Sequence, residues 1–203
     1  MEVILLSHTP NPEEVIETAY LSCRSIWDQL QSKRKKRSFD DRIEEVFRNG
    51  HFSILEHASA TFLVKGISRS CSHQLVRHRI ASYSQLSMRR VNIRNLGFIV
   101  PPKINDNKNA LKLYRKIIND SSKIYNELIK LGIEKEDARF CIPIGVETQI
   151  IFTMNFRSLI HFLKLRTPPE AQWEIRELAL KTYELLKNIA PNIFNDNLKQ
   201  YWE

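Results

Sequence analysis

The segment Arg77-His78-Arg79-Ile80-Ala81-Ser82-Tyr83-Ser84-Gln85-Leu86-Ser87-Met88-Arg89-Arg90 gathers four arginines, one histidine and three serines into fourteen residues. It is too polar for a core and has the chemistry of an anion site. Arginine presents a rigid fork of donors that matches phosphate oxygens, and serine adds a short neutral donor. Apolar residues before it (Leu75, Val76) and inside it (Ile80, Ala81, Leu86) point to a pocket held by packed structure rather than a loose basic tail. The chain has five glycines in all and no glycine-rich phosphate loop of the P-loop or dinucleotide kind. Side chains must therefore hold any phosphate.

Three further segments carry reactive residue types. His51-Phe52-Ser53-Ile54-Leu55-Glu56-His57 offers two imidazoles and a carboxylate. Its spacing matches neither HExxH nor the inverted form, so a hydrogen-bonded turn is the simpler reading than a zinc site. Asp137-Ala138-Arg139-Phe140-Cys141-Ile142-Pro143 sets one arginine among apolar residues. Asn155-Phe156-Arg157-Ser158-Leu159-Ile160-His161-Phe162-Leu163-Lys164-Leu165-Arg166 places Arg157, His161 and Lys164 near one helix face, by steps of four and three residues. Alone, that stripe reads as a solvated face.

The elements that must position these residues follow from periodicity. Glu2 to His8 reads as a strand. Pro12 opens a helix whose apolar positions (Val15, Ile16, Ala19, Cys23, Ile26, Trp27, Leu30) recur at helical spacing. A second helix over about 40–48 ends at Asn49-Gly50, a left-handed cap. Residues 60–67 alternate as a strand with Ala60, Phe62 and Val64 on one side, and Ser68 or Ser70 caps a helix running to about Arg77. The Arg/His cluster then lies at a helix C-terminus, where the dipole favours cations, and in the loop beyond. Phe98-Ile99-Val100 reads as a strand stopped by Pro101-Pro102, followed by a long amphipathic helix over about 106–131 ending at Gly132. A strand over 146–155 and helices over about 156–165 and 169–190 complete the chain. Neither an internal repeat nor a low-complexity linker is visible.

At 203 residues one domain spanning 1–203 is the default. Apolar residues make up 42% and charged residues 27%, an ordinary globular balance. The apolar runs are too short to span a bilayer, and Met1-Glu2-Val3-Ile4-Leu5-Leu6 lacks a basic n-region, so the expectation is a cytoplasmic protein without membrane association. Cys23, Cys71 and Cys141 are odd in number and scattered, which fits reduced, packing thiols. The net charge of +8 favours anionic partners, and the run Lys33-Arg34-Lys35-Lys36-Arg37 is most simply a solvated loop.

Together the segments resemble the flavin-dependent thymidylate synthases, the thymidylate synthase-complementing family, distinct from the synthases that use a cysteine nucleophile. That family's signature is Arg-His-Arg, seven residues, then Ser; here it is Arg77-His78-Arg79 to Ser87, extended by Arg89. His51 with Glu56-His57 and Gln74 lie upstream in the family's order. Ala138-Arg139 with Pro143, then Asn155, Arg157, Leu159, Phe162 and Leu165-Arg166, then Ala171-Gln172 with Glu174-Ile175-Arg176, lie downstream. The resemblance covers about residues 1–190.

The resemblance implies an α+β fold with a mixed or antiparallel central sheet flanked by helices, assembling as a homotetramer whose active sites draw on several subunits. It implies reductive methylation of dUMP to dTMP, with methylenetetrahydrofolate as carbon donor and NADPH reducing a bound FAD. Cofactor-binding positions carried over are His51, Ser53, Arg77, His78, Arg79, Gln85, Asn155, Phe156, Arg157 and His161. Nucleotide-binding positions are Gln74, Leu75, Val76, Arg77, Gln85, Leu86, Ser87, Met88, Arg89, Arg139 and Arg166. Arg166 matches the residue credited with activating the uracil, and no metal is implied. The physics agrees with that role: methylating C5 needs negative charge spread over N3 and its carbonyls, which a fixed arginine stabilises without losing its own charge. No enzyme nucleophile is then required, and Ser87 reads as a phosphate donor because nothing nearby forms a Ser-His-Asp arrangement. Many family members carry Asn-Glu where this chain has Ser84-Gln85, and often Tyr where it has Arg90. The rivals are a basic nucleic-acid-binding module and an inactive flavin-binding relative. The first lacks aromatics interleaved with its cations, since Tyr83 is alone in the main cluster; against the second stand Ser87, Arg139 and Arg166.

Overall fold

Gly50 shows how closely local sequence sets the fold. It ends α2 (Phe39–Asn49) in the left-handed conformation at φ 69°, while Ser38 opens the same helix by accepting a hydrogen bond from the Asp41 amide. The computed structural model describes residues 1–26, 38–93 and 96–201. The basic run 33–37 and the Trp27 and Leu30 positions of the expected first helix lie outside the described residues.

The strands are β1 (Glu2–His8), β2 (Ser59–Ser68), β3 (Ser82–Gln85) and β4 (Glu147–Asn155), in the order β1-β2-β4-β3. The sheet is antiparallel and flanked by helices, an α+β arrangement. Its register shows in the Thr9 amide bonded to the Ser59 carbonyl, the Phe156 amide to Ala58, and the Arg69 amide to Val146. The chain divides into two compact units. One is drawn from Met1–Glu2, Val64–Leu75 and Ser84–Ile150, the other from Val3–Leu63, Val76–Tyr83 and Ile151–Glu203.

In the second of these units, α1 (Pro12–Ser22) buries Ile16, Tyr20 and Leu21, and its Glu17 pairs with the buried Arg42 of α2. The helix is shorter than its periodicity suggested: Cys23 is its cap and is exposed rather than packed. After a 3₁₀ turn (Phe52–His57), β2 presents Ala60 and Phe62 to the core, and Phe62 stacks on Phe152 with centroids 5.1 Å apart. The α7 helix (Phe156–Arg166) starts at Asn155, whose side chain accepts from the Ser158 amide, and buries Phe156, Leu159, Phe162 and Leu163. Gln172 caps α8 (Trp173–Ile189) by accepting from the Glu174 and Ile175 amides. Its neighbour Asn192 is tied to the Glu13 carboxylate by two hydrogen bonds.

In the other unit, Ser68 rather than Ser70 caps α3 (Arg69–Leu75), accepting from the Cys71 amide at 3.0 Å. Residues 98–100 do not form the expected strand: Phe98 makes one bridge to Val146, and Pro101-Pro102 lead into the short α4 (Pro102–Asn105). The long helix α5 (Lys108–Lys130) is capped by Asn107 and begins two residues inside the expected start. Its Tyr125 packs with Met88, Ile93, Ala138 and Val146 in this unit's core. A short α6 (Lys135–Ala138) follows Gly132, which adopts φ 84°.

Candidate active site

His78 is buried immediately beyond the end of α3, between two exposed arginines, Arg77 and Arg79. Burial first, then the Arg166 and His161 charges, push its pKa down to about 4, so it is neutral near pH 7. Neutral imidazole has one lone pair to offer, and Nε2 accepts the Nε–H of Arg166 at 3.1 Å. The ring stands edge-on to Phe162, centroids 5.1 Å apart, and near His161 at 5.9 Å. Tyr83 donates its hydroxyl to the His78 carbonyl at 2.7 Å, and burial raises the phenol to about 12, which keeps it a donor.

His78, His161 and Arg166 line a cavity of about 840 Å³ within the second unit. Arg77, His78, Arg79 and Ile80 line one part, Asn155, Arg157, His161, Lys164 and Arg166 another, and Phe52 and Glu56 a third. Arg157 is exposed and pairs with Glu56 at 2.5 Å, a partner 101 residues away in sequence. The volume lies within the roughly 300–1,000 Å³ of small-molecule pockets. Five guanidinium or ammonium groups fit an anionic ligand, while Ile80, Ile160 and Leu165 supply apolar wall. This combination fits a flavin dinucleotide, whose pyrophosphate needs cations and whose ring needs an apolar wall.

A second pocket, of about 740 Å³, lies within the first unit and is lined by Ser87, Arg89, Arg90, Glu134, Lys135 and Glu136. Arg89 pairs with Glu136 at 2.5 Å, and Arg139 fixes that turn by donating its Nε–H to the Glu136 carbonyl at 3.0 Å. Nearby, the Gln85 amide donates to the hydroxyls of Ser72 and Thr148 at 2.7 and 3.3 Å. The Leu86 amide bonds to the Gln149 carbonyl, which sets β3 as an edge strand where a loop was expected.

The structure thus brings Arg77, His78, Arg79, Asn155, Arg157, His161 and Arg166 to one cavity, and Ser87 and Arg89 to another. His51 and Ser53 are exposed at the start of the 3₁₀ turn, while Phe52 and Glu56 of the same turn line the cavity. Phe156, Leu75 and Met88 are buried side chains; Phe156 packs edge-on against Phe194. Gln74 is half-buried on α3, Val76 is exposed just after it, and Leu86 and Arg139 are half-buried.

Sequence reasoning passed over two kinds of residue. Arg69 donates to the Leu86 carbonyl, and its pKa is lowered by burial and then by the Arg139 charge, so two cations share this neighbourhood. An arginine opening a helix straight after a buried strand was the available signal. Glu136, the counter-ion of Arg89, left no signal, and nothing local in the 51–57 segment announced that Glu56 pairs with Arg157, because tertiary folding brings these partners together.

Residues 4–192 match the family model described as "Thymidylate synthase complementing protein". The chain is 44% identical over 200 residues to the flavin-dependent thymidylate synthase of Geobacter sulfurreducens, covering 97% of this chain and 86% of that protein. The enzyme of the same name from Thermococcus onnurineus is 42% identical over 200 residues, covering 95% and 80%. That from Clostridium tetani is 38% identical over 212 residues, covering 96% and 85%.

Proposed function

The chain belongs to the thymidylate synthase complementing family, and from that premise we infer that it is a flavin-dependent thymidylate synthase. It converts dUMP, methylenetetrahydrofolate and NADPH to dTMP, tetrahydrofolate and NADP. The observation that carries this reading into the molecule is the meeting of the Arg77–Arg79 segment with the Asn155–Arg166 segment around one cationic, part-apolar cavity.

In this reading Arg77, Arg79, Arg157 and Lys164 hold the anionic part of FAD, and Asn155 and His161 orient it. FAD, when bound, supplies redox and one-carbon transfer chemistry that no side chain here possesses. Arg166 faces the uracil, where its permanent charge stabilises negative charge developing across N3 and the carbonyl oxygens as C5 becomes nucleophilic. Ser87 and Arg89 take the dUMP phosphate, with Gln74, Gln85, Leu86 and Arg139 completing the nucleotide contacts. For this the phosphate must displace Glu136 from Arg89. Leu75, Met88 and Phe156 serve by packing beneath these contacts, and His51 and Ser53 lie at the flavin's edge.

The two units work as a single synthase domain, and the protein assembles as a homotetramer whose active sites draw on several subunits. Exposed Phe140 and Ile144 support an assembly that covers apolar surface. A cytoplasmic setting is supported by the free thiols of Cys23, Cys71 and Cys141. Among the described residues no helix is long and apolar enough to cross a membrane.

The test is the visible spectrum of the purified protein, with NADPH oxidation followed in the same cuvette as dUMP is added. A yellow flavin band and dUMP-stimulated oxidation are expected. A colourless protein that takes up no added FAD would overturn the reading.

A further inference from the structure

A guanidinium has five N–H donors, and its catalytic use depends on which way the fork faces. Arg166 is the last residue of α7, where a helix end frays most easily. Its backbone is tied down just beyond: the Thr167 amide and hydroxyl both bond to the Leu163 carbonyl, and Arg176 donates to the Thr167 carbonyl at 2.9 Å. Among the described residues its side chain has one hydrogen-bond partner, His78.

We propose that His78 is a positioning residue for Arg166: its Nε2 lone pair takes the Nε–H and fixes the guanidinium, leaving the terminal donors for the substrate. This adds to the signature histidine a role distinct from touching the flavin, and it rests on Arg166 being the uracil-activating group. Three features make the imidazole a fixed acceptor. Phe162, fully buried, and His161 hold its plane. The Tyr83 hydroxyl pins its backbone carbonyl. Its neutrality is secured because a charged imidazole would be buried against the Arg166 cation and near His161. Around the same cavity stand Arg77, Arg79, Arg157 and Lys164, with Glu56 the acidic member already paired to Arg157. Burial and the Arg166 and His161 charges favour the uncharged ring. An acidic residue at position 78 would accept the same N–H but would neutralise Arg166; a neutral acceptor orients the guanidinium without neutralising it.

The experiment compares the FAD-loaded protein with His78→Phe, which keeps a ring but has no acceptor, and His78→Gln, whose amide oxygen can accept the same N–H. The expected result for His78→Phe is a fall in kcat of about 10- to 100-fold, the scale of a misplaced catalytic group, with KM for dUMP little changed. His78→Gln should recover most of the rate. In parallel, the ¹⁵N resonance of the Arg166 Nε–H, assigned by its loss in Arg166→Lys, should shift in His78→Phe and return towards its position in His78→Gln. That readout does not depend on turnover. An unmodified protein that makes no dTMP sinks the synthase reading, whereas an Arg166 resonance unmoved by His78→Phe sinks the positioning role whatever the rate does. A kcat within twofold of the unmodified protein also overturns it. Should His78→Phe fail to fold, the unmodified protein is followed from pH 7 towards pH 4. The Arg166 resonance should move as His78 gains a proton, and one that stays fixed contradicts the proposal.

Discussion

The cavity of the second unit and the pocket of the first use the same side chain in opposite ways. Arg166 is half-buried, oriented by a neutral histidine, and anchored through tied backbone on a helix end. Arg89 is 63% exposed in its side chain and is neutralised by Glu136. An arginine held by a neutral acceptor keeps its full charge and one direction, which suits stabilising charge that develops during a reaction. An arginine held by an exposed carboxylate is only loosely committed, since such pairs are worth roughly 0–1 kcal/mol. That suits exchange of one anion for another. The difference separates a group built to act from a group built to bind and release.

The largest expected effect breaks the first half of this contrast. Arg166→Ala should lower dTMP formation by about a hundredfold to a thousandfold, the cost of removing one charge-stabilising donor, while the protein stays yellow. Turnover near the unmodified rate would refute the assigned role. The second half is tested by Ser87→Ala, which should cost about 1 to 3 kcal/mol of dUMP affinity for a lost charge-assisted bond. That is roughly 5- to 150-fold in Kd, read by titration with FAD content unchanged.

A smaller effect sharpens the exchange argument. Glu136→Gln frees Arg89 from its internal anion, so dUMP affinity should rise, by up to about fivefold if the exposed pair is worth up to 1 kcal/mol. Unchanged or weaker binding would mean that Glu136 supports the pocket and does not compete for it. The last effect is on stability. His78 titrates near 6.5 when unfolded and at about 4 in the folded protein, so unfolding takes up a proton at acid pH. Its contribution is fully present above about pH 6.5 and is lost as pH falls towards 4. Denaturation midpoints should fall more steeply over that window for the unmodified protein than for His78→Phe.

Much of this was legible in the chain because the signals were local. Ser38 and Gly50 bracket α2 by capping chemistry alone, and the alternation Ala60, Phe62, Val64 fixes the buried face of β2. The strand β3 was missed because Ser82-Tyr83-Ser84-Gln85 has no apolar face; it pairs at the sheet's edge through its backbone. Conversely, Phe98-Ile99-Val100 has strand composition but forms only the single bridge, since proline at 101 and 102 removes the donors that would extend it. The site divides in the same way. The Arg-His-Arg motif and the Arg157, His161, Lys164 stripe were visible as residue types at fixed spacing, and the fold turns that stripe from a solvated face into a cavity wall. The Glu56–Arg157 and His78–Arg166 contacts join residues about a hundred apart, which no local pattern announces.

The most direct test of the division between the two pockets sets Arg157→Ala beside Arg89→Ala, with the visible spectrum and dUMP affinity measured on each. The account predicts that Arg157→Ala loses flavin absorbance, while Arg89→Ala stays yellow and binds dUMP more weakly. Loss of flavin from Arg89→Ala with dUMP affinity intact, or both ligands weakened equally by each substitution, would contradict it.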